Sequence, residues 1–236
     1  MVLNPESTSF PSIIQYQLEP EIYSIKGLNA FLKIAREKNL KNFPIHVKID
    51  TGMHRLGFEE NTIDELITAL KGNSAVRVQS ILSHLATSDD PKHFDFVRQQ
   101  IALFEKLSSK LIAELNTNPI RHILNTSGIS NYPQAQFDMV RLGIGLYGVS
   151  NDPAEQKYLE NVGTLKSIIS QVRTIPTGDS VGYGRRFMAE KETKIATIPI
   201  GYADGISRLW GNQVGFVTIK NQKAYIVGSV CMDMLM

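Results

Sequence analysis

Apolar residues in the first two thirds of the chain recur at two spacings that alternate along the sequence. Short apolar runs rich in β-branched residues predict strands, while apolar residues three and four positions apart predict amphipathic helices. The clearest predicted strands are residues 45–50, 76–84, 120–125 and 139–142. The predicted helices are residues 94–115 and a shorter one that opens at a capping-box pattern, Thr62 and Glu65, and stops at Gly72.

Strands separated by helices indicate parallel β-α units. With the weaker segments 2–3 and 19–24, about six strands are of the kind found in a (β/α)8 barrel, which needs eight. After Pro153 only turn residues separate the strands, which are 165–175, 194–200, 215–219 and 224–227. The sequence therefore predicts an α/β fold. An incomplete (β/α)8 TIM barrel, strands 3 to 8, is expected over residues 1–156, followed by the first part of a mainly-β C-terminal domain over residues 157–236.

Composition and charge narrow the functional classes. The 236 residues are 42% hydrophobic and 20% charged, and the net charge of +2 is too small to indicate binding to nucleic acid or a membrane surface. No apolar run approaches the roughly 20 residues of a membrane helix, and the first residues do not resemble a secretory signal. Cys231 is the single cysteine, so a disulfide within the chain is excluded. We expect a cytoplasmic protein, or a piece of one.

Polar residues fall at the C-terminal ends of the predicted barrel strands, where barrels of this type place their active sites. They are Lys48 and Arg55, His84, residues 125–127, and Arg141. Glycines follow several of them, Gly143 among these, and allow the backbone to approach a ligand closely. A binding or catalytic site is therefore expected at this end of the barrel.

Seven segments in order along the chain resemble the signatures of bacterial PLP-dependent alanine racemases of fold type III. They are KIDTGMHRLG (48–57), SHLA (83–86), NTSG (125–128), MVRLGIGLYG (139–148), VGYG (181–184), IPIGYADG (198–205) and CMD (231–233). Each alone is a weak signal, but together they extend over nearly the whole chain. The resemblance implies an isomerase that interconverts L- and D-alanine through a PLP aldimine by two-base proton transfer, and so supplies D-alanine for peptidoglycan. It also implies a homodimer whose active site is shared between subunits.

The resemblance assigns three residues to catalysis. Tyr183 would be one base and would reach the partner subunit's site, unless it is a simple turn residue. Arg141 would face the pyridine nitrogen of PLP and keep it unprotonated, because arginine stays protonated; the alternative is an ion pair with Asp138. His84 would lie beside the cofactor and hydrogen-bond Arg141, although a lone histidine at a strand end is more often structural.

Further positions would hold cofactor and substrate. Arg55 would hydrogen-bond the phenolic oxygen of PLP and contact substrate. Lys48, often carbamylated in the family, would orient Arg55, the alternative being an ion pair with Asp50. The phosphate would lie at the turn of Asn125 and Thr126 and at Gly143 and Ile144, with Tyr202 near it or at the entrance. Met232 would touch the substrate carboxylate through its backbone, along with Tyr183, unless it is a core methionine.

The family attaches PLP to a lysine on the first barrel strand, in a Lys-Ala-Asn-Ala-Tyr-Gly type of segment, and uses that lysine as the second base. No such segment occurs here, and Lys26 and Lys33 are expected on the solvated face of a helix. The chain is therefore expected to be an internal fragment that lacks the lysine segment and the C-terminal end, and to be inactive alone.

Two other functional classes remain open. The absent lysine favours a non-catalytic PLP-binding or scaffolding module derived from the racemases, whereas the retained Tyr183 and Met232 argue against it. A fold-type III PLP decarboxylase or lyase shares the barrel. A metal-dependent lyase would need His/Cys or His/Asp ligands late in the chain, and Cys231 with Asp233 alone is a poor site, so no metal is expected. Broad-specificity amino-acid racemases also share the fold, which makes serine a further candidate substrate.

Overall fold

The structure is a computed structural model that describes all residues, 1–236. The chain divides into two compact units, residues 1–162 and 163–236. Each unit has its own hydrophobic core. None of the helices combines the length and the apolar character that crossing a membrane requires.

The first unit contains a parallel sheet of four strands in the order of the sequence. The strands are β1 (Glu21–Ile22), β2 (Phe43–Lys48), β3 (Val76–Leu82) and β4 (Ile120–His122). The helices are α1 (Phe10–Gln15), α2 (Ile25–Glu37), α3 (Ile63–Leu70), α4 (Phe94–Leu115), α5 (Thr126–Asn131) and α6 (Pro153–Gln156). Short 3-10 turns lie at Ser7–Ser9, Glu60–Thr62, Pro91–His93, Pro133–Ala135 and Ile144–Tyr147. The β-α alternation predicted from hydrophobic spacing is confirmed, and α4 has the predicted bounds.

Alternation along β2 gives the sheet an apolar and a polar face. Ile45 and Val47 are fully buried in the same core cluster as the apolar residues of α2, α3 and α4. His46 points to the other side, as neighbouring residues of a strand do. Glu21 and Ser80 pair with His46 in the parallel register and therefore share its side. This second face is polar and also buried.

The second unit consists of antiparallel pairs of strands. They are β5 (Gln171–Ile175) with β8 (Thr193–Thr197), β6 (Ser180–Val181) with β7 (Phe187–Met188), and β9 (Phe216–Ile219) with β10 (Gln222–Tyr225). Its 3-10 turns are Tyr183–Arg185, Tyr202–Asp204 and Arg208–Trp210. A small core forms from Ile198, Ile206, Ile226, Val230 and Leu235. The predicted change to an all-β pattern is confirmed.

Three local predictions were wrong. Residues 139–142 form no strand, because only single backbone bonds such as Arg141 N–H to Leu124 O (3.0 Å) tie them to their neighbour and no ladder develops. Residues 165–170 lack a pairing partner before Ser170, so β5 starts only at Gln171. Thr62 does not cap α3, since its hydroxyl donates to Glu59 O (2.8 Å) within the preceding 3-10 turn.

Candidate active site

The polar residues predicted at the strand ends in the first unit come together around Arg141. Its Nη2 lies 3.3 Å from Nδ1 of His84 and also donates to the carbonyls of Ser83 and Ile123. Its Nη1 donates to Nδ1 of His122 and, at 3.3 Å, to the His122 carbonyl. The expected contact between His84 and Arg141 is therefore present.

Arg141 has no carboxylate among its hydrogen-bond or ion-pair partners. Asp138, its alternative partner on sequence grounds, instead accepts from the backbone N–H of Arg121 at 2.8 Å and lies 3.9 Å from the Arg121 side chain. The alternative ion pair with Asp138 is therefore wrong. Arg141 presents a guanidinium whose contacts are all with neutral acceptors.

Burial decides the protonation states around this guanidinium. Burial lowers the pKa of Arg141 to about 10, against an opposing effect of Glu21, so the side chain remains a cation at neutral pH. The pKa of His84 is lowered to about 4 by burial first, and then by the positive charges of Arg141, Arg55 and Lys48. His84 is therefore a neutral imidazole that can accept a hydrogen bond from Arg141.

Lys48 forms a buried ion pair with Glu21. Its Nζ lies 3.1 Å from Glu21 Oε1, and both residues are almost completely buried. That oxygen has no partner in hydrogen-bond geometry, so its contact with Lys48 is one of charge, while Oε2 accepts from the backbone N–H of Asn4. Asp50, the alternative partner, accepts instead from the N–H groups of Gly52 (2.8 Å) and His54 (3.1 Å). A Lys48–Asp50 pair is therefore not formed.

Arg55 is exposed on the loop that follows β2. The loop returns to the strand end, where Phe58 N–H donates to Lys48 O (2.8 Å) and Asp50 N–H donates to Phe58 O (3.0 Å). Gly57 permits this approach: its φ is +142°, and a Cβ there would lie 2.3 Å from the Asp50 nitrogen. The loop thus holds Arg55 near enough for its charge to act on His84.

A turn rich in hydrogen-bond donors surrounds Thr126. The N–H groups of Gly143 and Gly145 converge on Thr126 Oγ1 at 2.9 and 3.3 Å. A Cβ on Gly145 would lie 2.7 Å from Thr126 Cγ2, so a larger residue there would displace the Thr126 side chain. Asn125 fixes the turn by accepting from Gly128 N–H (3.0 Å) and the Ser88 hydroxyl (2.7 Å). Ile144 is half exposed beside it.

The remaining predicted site residues belong to the second unit. Tyr183 lies in its 3-10 turn with 76% of its surface exposed. The backbone N–H of Tyr202 donates to Cys231 O (2.9 Å), and Ala203 N–H donates to Met232 O (3.0 Å), so the two segments lie side by side. Met232 is 54% exposed, which excludes the alternative of a core methionine. The guanidinium of Arg208 lies 5.5 Å from the centre of the Tyr202 ring.

Four buried polar residues of this region were missed from the sequence. They are Glu21, His46, Ser80 and His122. Their signal is the polar position inside an otherwise apolar strand, clearest in the alternation Ile45, His46, Val47. These polar positions can be interpreted only when the register of neighbouring strands is known, because the register brings their side chains together.

Comparison with known proteins gives a consistent result. Residues 1–151 match the family model of the alanine racemase N-terminal domain, and residues 162–236 match that of the C-terminal domain. The chain is 32% identical over 232 residues to the alanine racemase of Sorangium cellulosum, covering 98% of this chain and 61% of that protein. It is 37% identical over 217 residues to alanine racemase 2 of Caldanaerobacter subterraneus, covering 91% and 55%.

Solved structures agree with this match. The alanine racemase of D-cycloserine-producing Streptomyces lavendulae superposes with a TM-score of 0.87 at 30% identity, over 96% of this chain and 60% of that one. That of Bartonella henselae, with covalently bound pyridoxal phosphate, gives 0.80 at 30% identity, over 99% and 63%. The chain thus spans about three fifths of the proteins it matches. The expectation of an incomplete barrel followed by part of a mainly-β domain is confirmed.

Proposed function

Since the chain belongs to the alanine racemase family, we propose that the protein to which it belongs interconverts L- and D-alanine with pyridoxal 5'-phosphate as cofactor. The observation that carries this proposal is the environment of Arg141, a half-buried cation held only by neutral acceptors. Supply of D-alanine for peptidoglycan in the cytoplasm is part of the same proposal.

The residues present fit the cofactor. The hydroxyl of Thr126 and the N–H of Ile144 are donors of the kind that a phosphate requires. The N–H groups of Gly143 and Gly145 donate to Thr126 Oγ1 in this structure and would turn from it to a bound phosphate. Asn125 holds this turn in place. Tyr202 is proposed near the phosphate or at the entrance. When bound, PLP supplies an electron sink for the Cα–H bond of an amino acid.

Arg141 is proposed to face the ring nitrogen of the cofactor. A guanidinium has only donors and keeps its protons at neutral pH, so it contacts an unprotonated nitrogen without transferring a proton to it. Arg55 would hydrogen-bond the phenolic oxygen, and a carbamylated Lys48 would orient it. Such a setting limits how much negative charge the ring takes up, which favours return of the proton to Cα over side reactions.

Tyr183 is proposed as the base on one face of the substrate. Its exposed position in the second unit leaves the hydroxyl accessible, in line with service to the partner subunit's site in a homodimer. Met232 would contact the substrate carboxylate through its backbone N–H, which makes no hydrogen bond within the chain. His84 would position Arg141 and accept no proton at neutral pH, because burial and three cations lower its pKa to about 4.

Racemisation needs a second base, for which the family uses a lysine. Lys26 and Lys33 are exposed on α2, as expected, and Lys48 is engaged with Glu21. None of these three is therefore proposed as that base. Residues 1–236 alone are expected not to exchange the Cα proton of alanine.

Proton exchange tests the proposal. The protein in the form its source cell makes is incubated with PLP and L-alanine in D2O, and both enantiomers are followed by NMR and chiral chromatography. Loss of the Cα proton signal together with appearance of D-alanine is the expected result. Release of CO2 and ethylamine would favour the decarboxylase instead, and PLP binding without any exchange would favour the binding module.

A further inference from the structure

A continuous line of side chains connects Arg141 to the surface of the first unit. His122 Nε2 lies 3.0 Å from Ser80 Oγ, which lies 2.6 Å from Nδ1 of His46. His46 Nε2 in turn lies 2.7 Å from Glu19 Oε2. The line is buried at Ser80 and His122 (1% and 0% exposed) and reaches water at Glu19, whose side chain is 35% exposed.

The hydrogen positions in this line are determined from both ends. An arginine has no acceptor, so Arg141 must donate to Nδ1 of His122, and that ring can then carry its proton only on Nε2. The Nε2–H donates to Ser80, whose own hydroxyl proton is then directed to Nδ1 of His46. The remaining His46 proton lies on Nε2 and meets the carboxylate of Glu19, which can only accept.

We infer that Glu19, His46, Ser80 and His122 are positioning residues for Arg141, joined in one line with a single permitted order of hydrogens. The line occupies Nη1 of Arg141, while Ser83 O and His84 occupy Nη2. The Nε–H is the donor that these contacts leave for a ligand. The identity of that ligand rests on the proposed function, whereas the order of hydrogens in the line is independent of it.

Charge and burial are consistent with two neutral imidazoles. The pKa of His122 is lowered to about 3 by burial first and then by the positive charge of Arg141. Burial also lowers the pKa of His46, although the hydrogen bond and charge of Glu19 and the charge of Glu21 act in the opposite direction. An imidazolium at His122 would place two donors face to face with Arg141. An imidazolium at His46 would make Ser80 accept twice and leave its buried hydroxyl proton without a partner.

Nitrogen NMR of the histidine rings tests the inference directly. The protein in its natural form, labelled with 15N in the imidazoles, is measured at neutral pH with and without PLP. His46 and His122 are expected as neutral rings, each protonated on Nε2 alone. An imidazolium, or a proton on Nδ1 of either ring, would overturn the inference.

Two substitutions at Ser80 separate positioning from mere filling of space. Ser80→Ala removes the acceptor of the His122 Nε2–H. We expect the 15N resonances of His122 Nε2 and of Arg141 Nε to move, while His46 keeps its Nε2 proton opposite Glu19. Ser80→Thr keeps a hydroxyl and should preserve both signals. Unchanged spectra in Ser80→Ala would refute the line as a positioning device. If neither variant folds, the tautomers of His46 and His122 in the wild type still test the inference.

The proposed function and the inference about the histidine tautomers can be refuted independently of each other. A protein with the expected tautomers but no alanine exchange would contradict the proposed function alone. An active racemase with His122 protonated on Nδ1 would contradict the inference alone.

Discussion

Lys48 and Glu21 face each other across neighbouring parallel strands, with Nζ and Oε1 3.1 Å apart and both side chains almost fully removed from water. Each charge is the principal compensation of the other. Removal of one partner from such a pair leaves a buried, uncompensated charge, which costs more than the pair itself contributes.

Glu21→Ala is therefore expected to lower the free energy of unfolding by about 3–5 kcal/mol. The measurement is urea unfolding followed by far-UV circular dichroism. Glu114→Ala is the matched control, because its pair with Lys71 has the similar length of 3.2 Å but is exposed, and its loss should cost less than about 1 kcal/mol. Equal losses in the two variants would mean that the Lys48–Glu21 pair is solvated.

Tyr183→Phe removes the proposed base while keeping the ring. In the natural form of the protein, proton exchange should fall far more for one alanine enantiomer than for the other, by on the order of 100-fold or more. Tyr158→Phe is the control, since Tyr158 is 88% exposed and outside the site. Small and equal losses for both enantiomers would remove Tyr183 from the base role.

His84 and His122 give the free energy of unfolding a defined pH dependence. The pKa values of His84 (about 4) and His122 (about 3) lie below the ordinary 6.5, so the unfolded chain binds more protons than the folded one as the pH falls. The free energy of unfolding is therefore highest above pH 6.5 and decreases towards pH 4, each histidine adding a slope of up to about 1.4 kcal/mol per pH unit.

Replacement of His122 tests this slope. The free energy of unfolding of His122→Gln, measured between pH 6.5 and pH 4, should decrease less steeply with falling pH than that of the wild type. This holds whatever the stability of the variant at neutral pH. His93→Gln, which removes an exposed imidazole, controls for the loss of a histidine as such. A slope unchanged in His122→Gln would show that His122 is not buried as a neutral ring.

Gly57→Ala should damage both the fold and the site. Its Cβ would lie 2.3 Å from the Asp50 nitrogen, so the loop that carries Arg55 must move away from the end of β2. We expect a loss of more than about 2 kcal/mol in stability and weaker binding of PLP in a fluorescence titration. Gly72→Ala has a positive φ of +71° but nothing within 4 Å, and so reports the cost of backbone strain alone.

The sequence was most informative where one side of an element is uniformly apolar. The helix at residues 94–115 and the solvated face of α2, with Lys26 and Lys33, were predicted directly from the spacing of apolar residues. The strand predictions for residues 139–142 and 165–170 were wrong for the same reason. Strand propensity is a local property, whereas a strand forms only where a neighbouring segment supplies a ladder of backbone hydrogen bonds.

The residues of the candidate site likewise fall into those that could be predicted from the sequence and those that could not. Lys48, His84, Asn125 and Arg141 could be placed because each lies at the end of a predicted strand. The partners of these residues could not, since Glu21 and Ser80 reach the site through the register between strands and not through any local pattern. The ion pair of Lys48 with Glu21, in place of Asp50, is such a case.

The strict alternation of apolar and polar side chains along β2 determines what an insertion or deletion in this strand would do. A single inserted or deleted residue within Phe43–Lys48 would turn His46 and Lys48 towards the helices and Ile45 and Val47 towards the ligand side. Binding chemistry and solubility of the folded unit would then be lost in one event. An insertion or deletion in this strand is therefore expected to damage both faces at once, whereas a single substitution changes one face only.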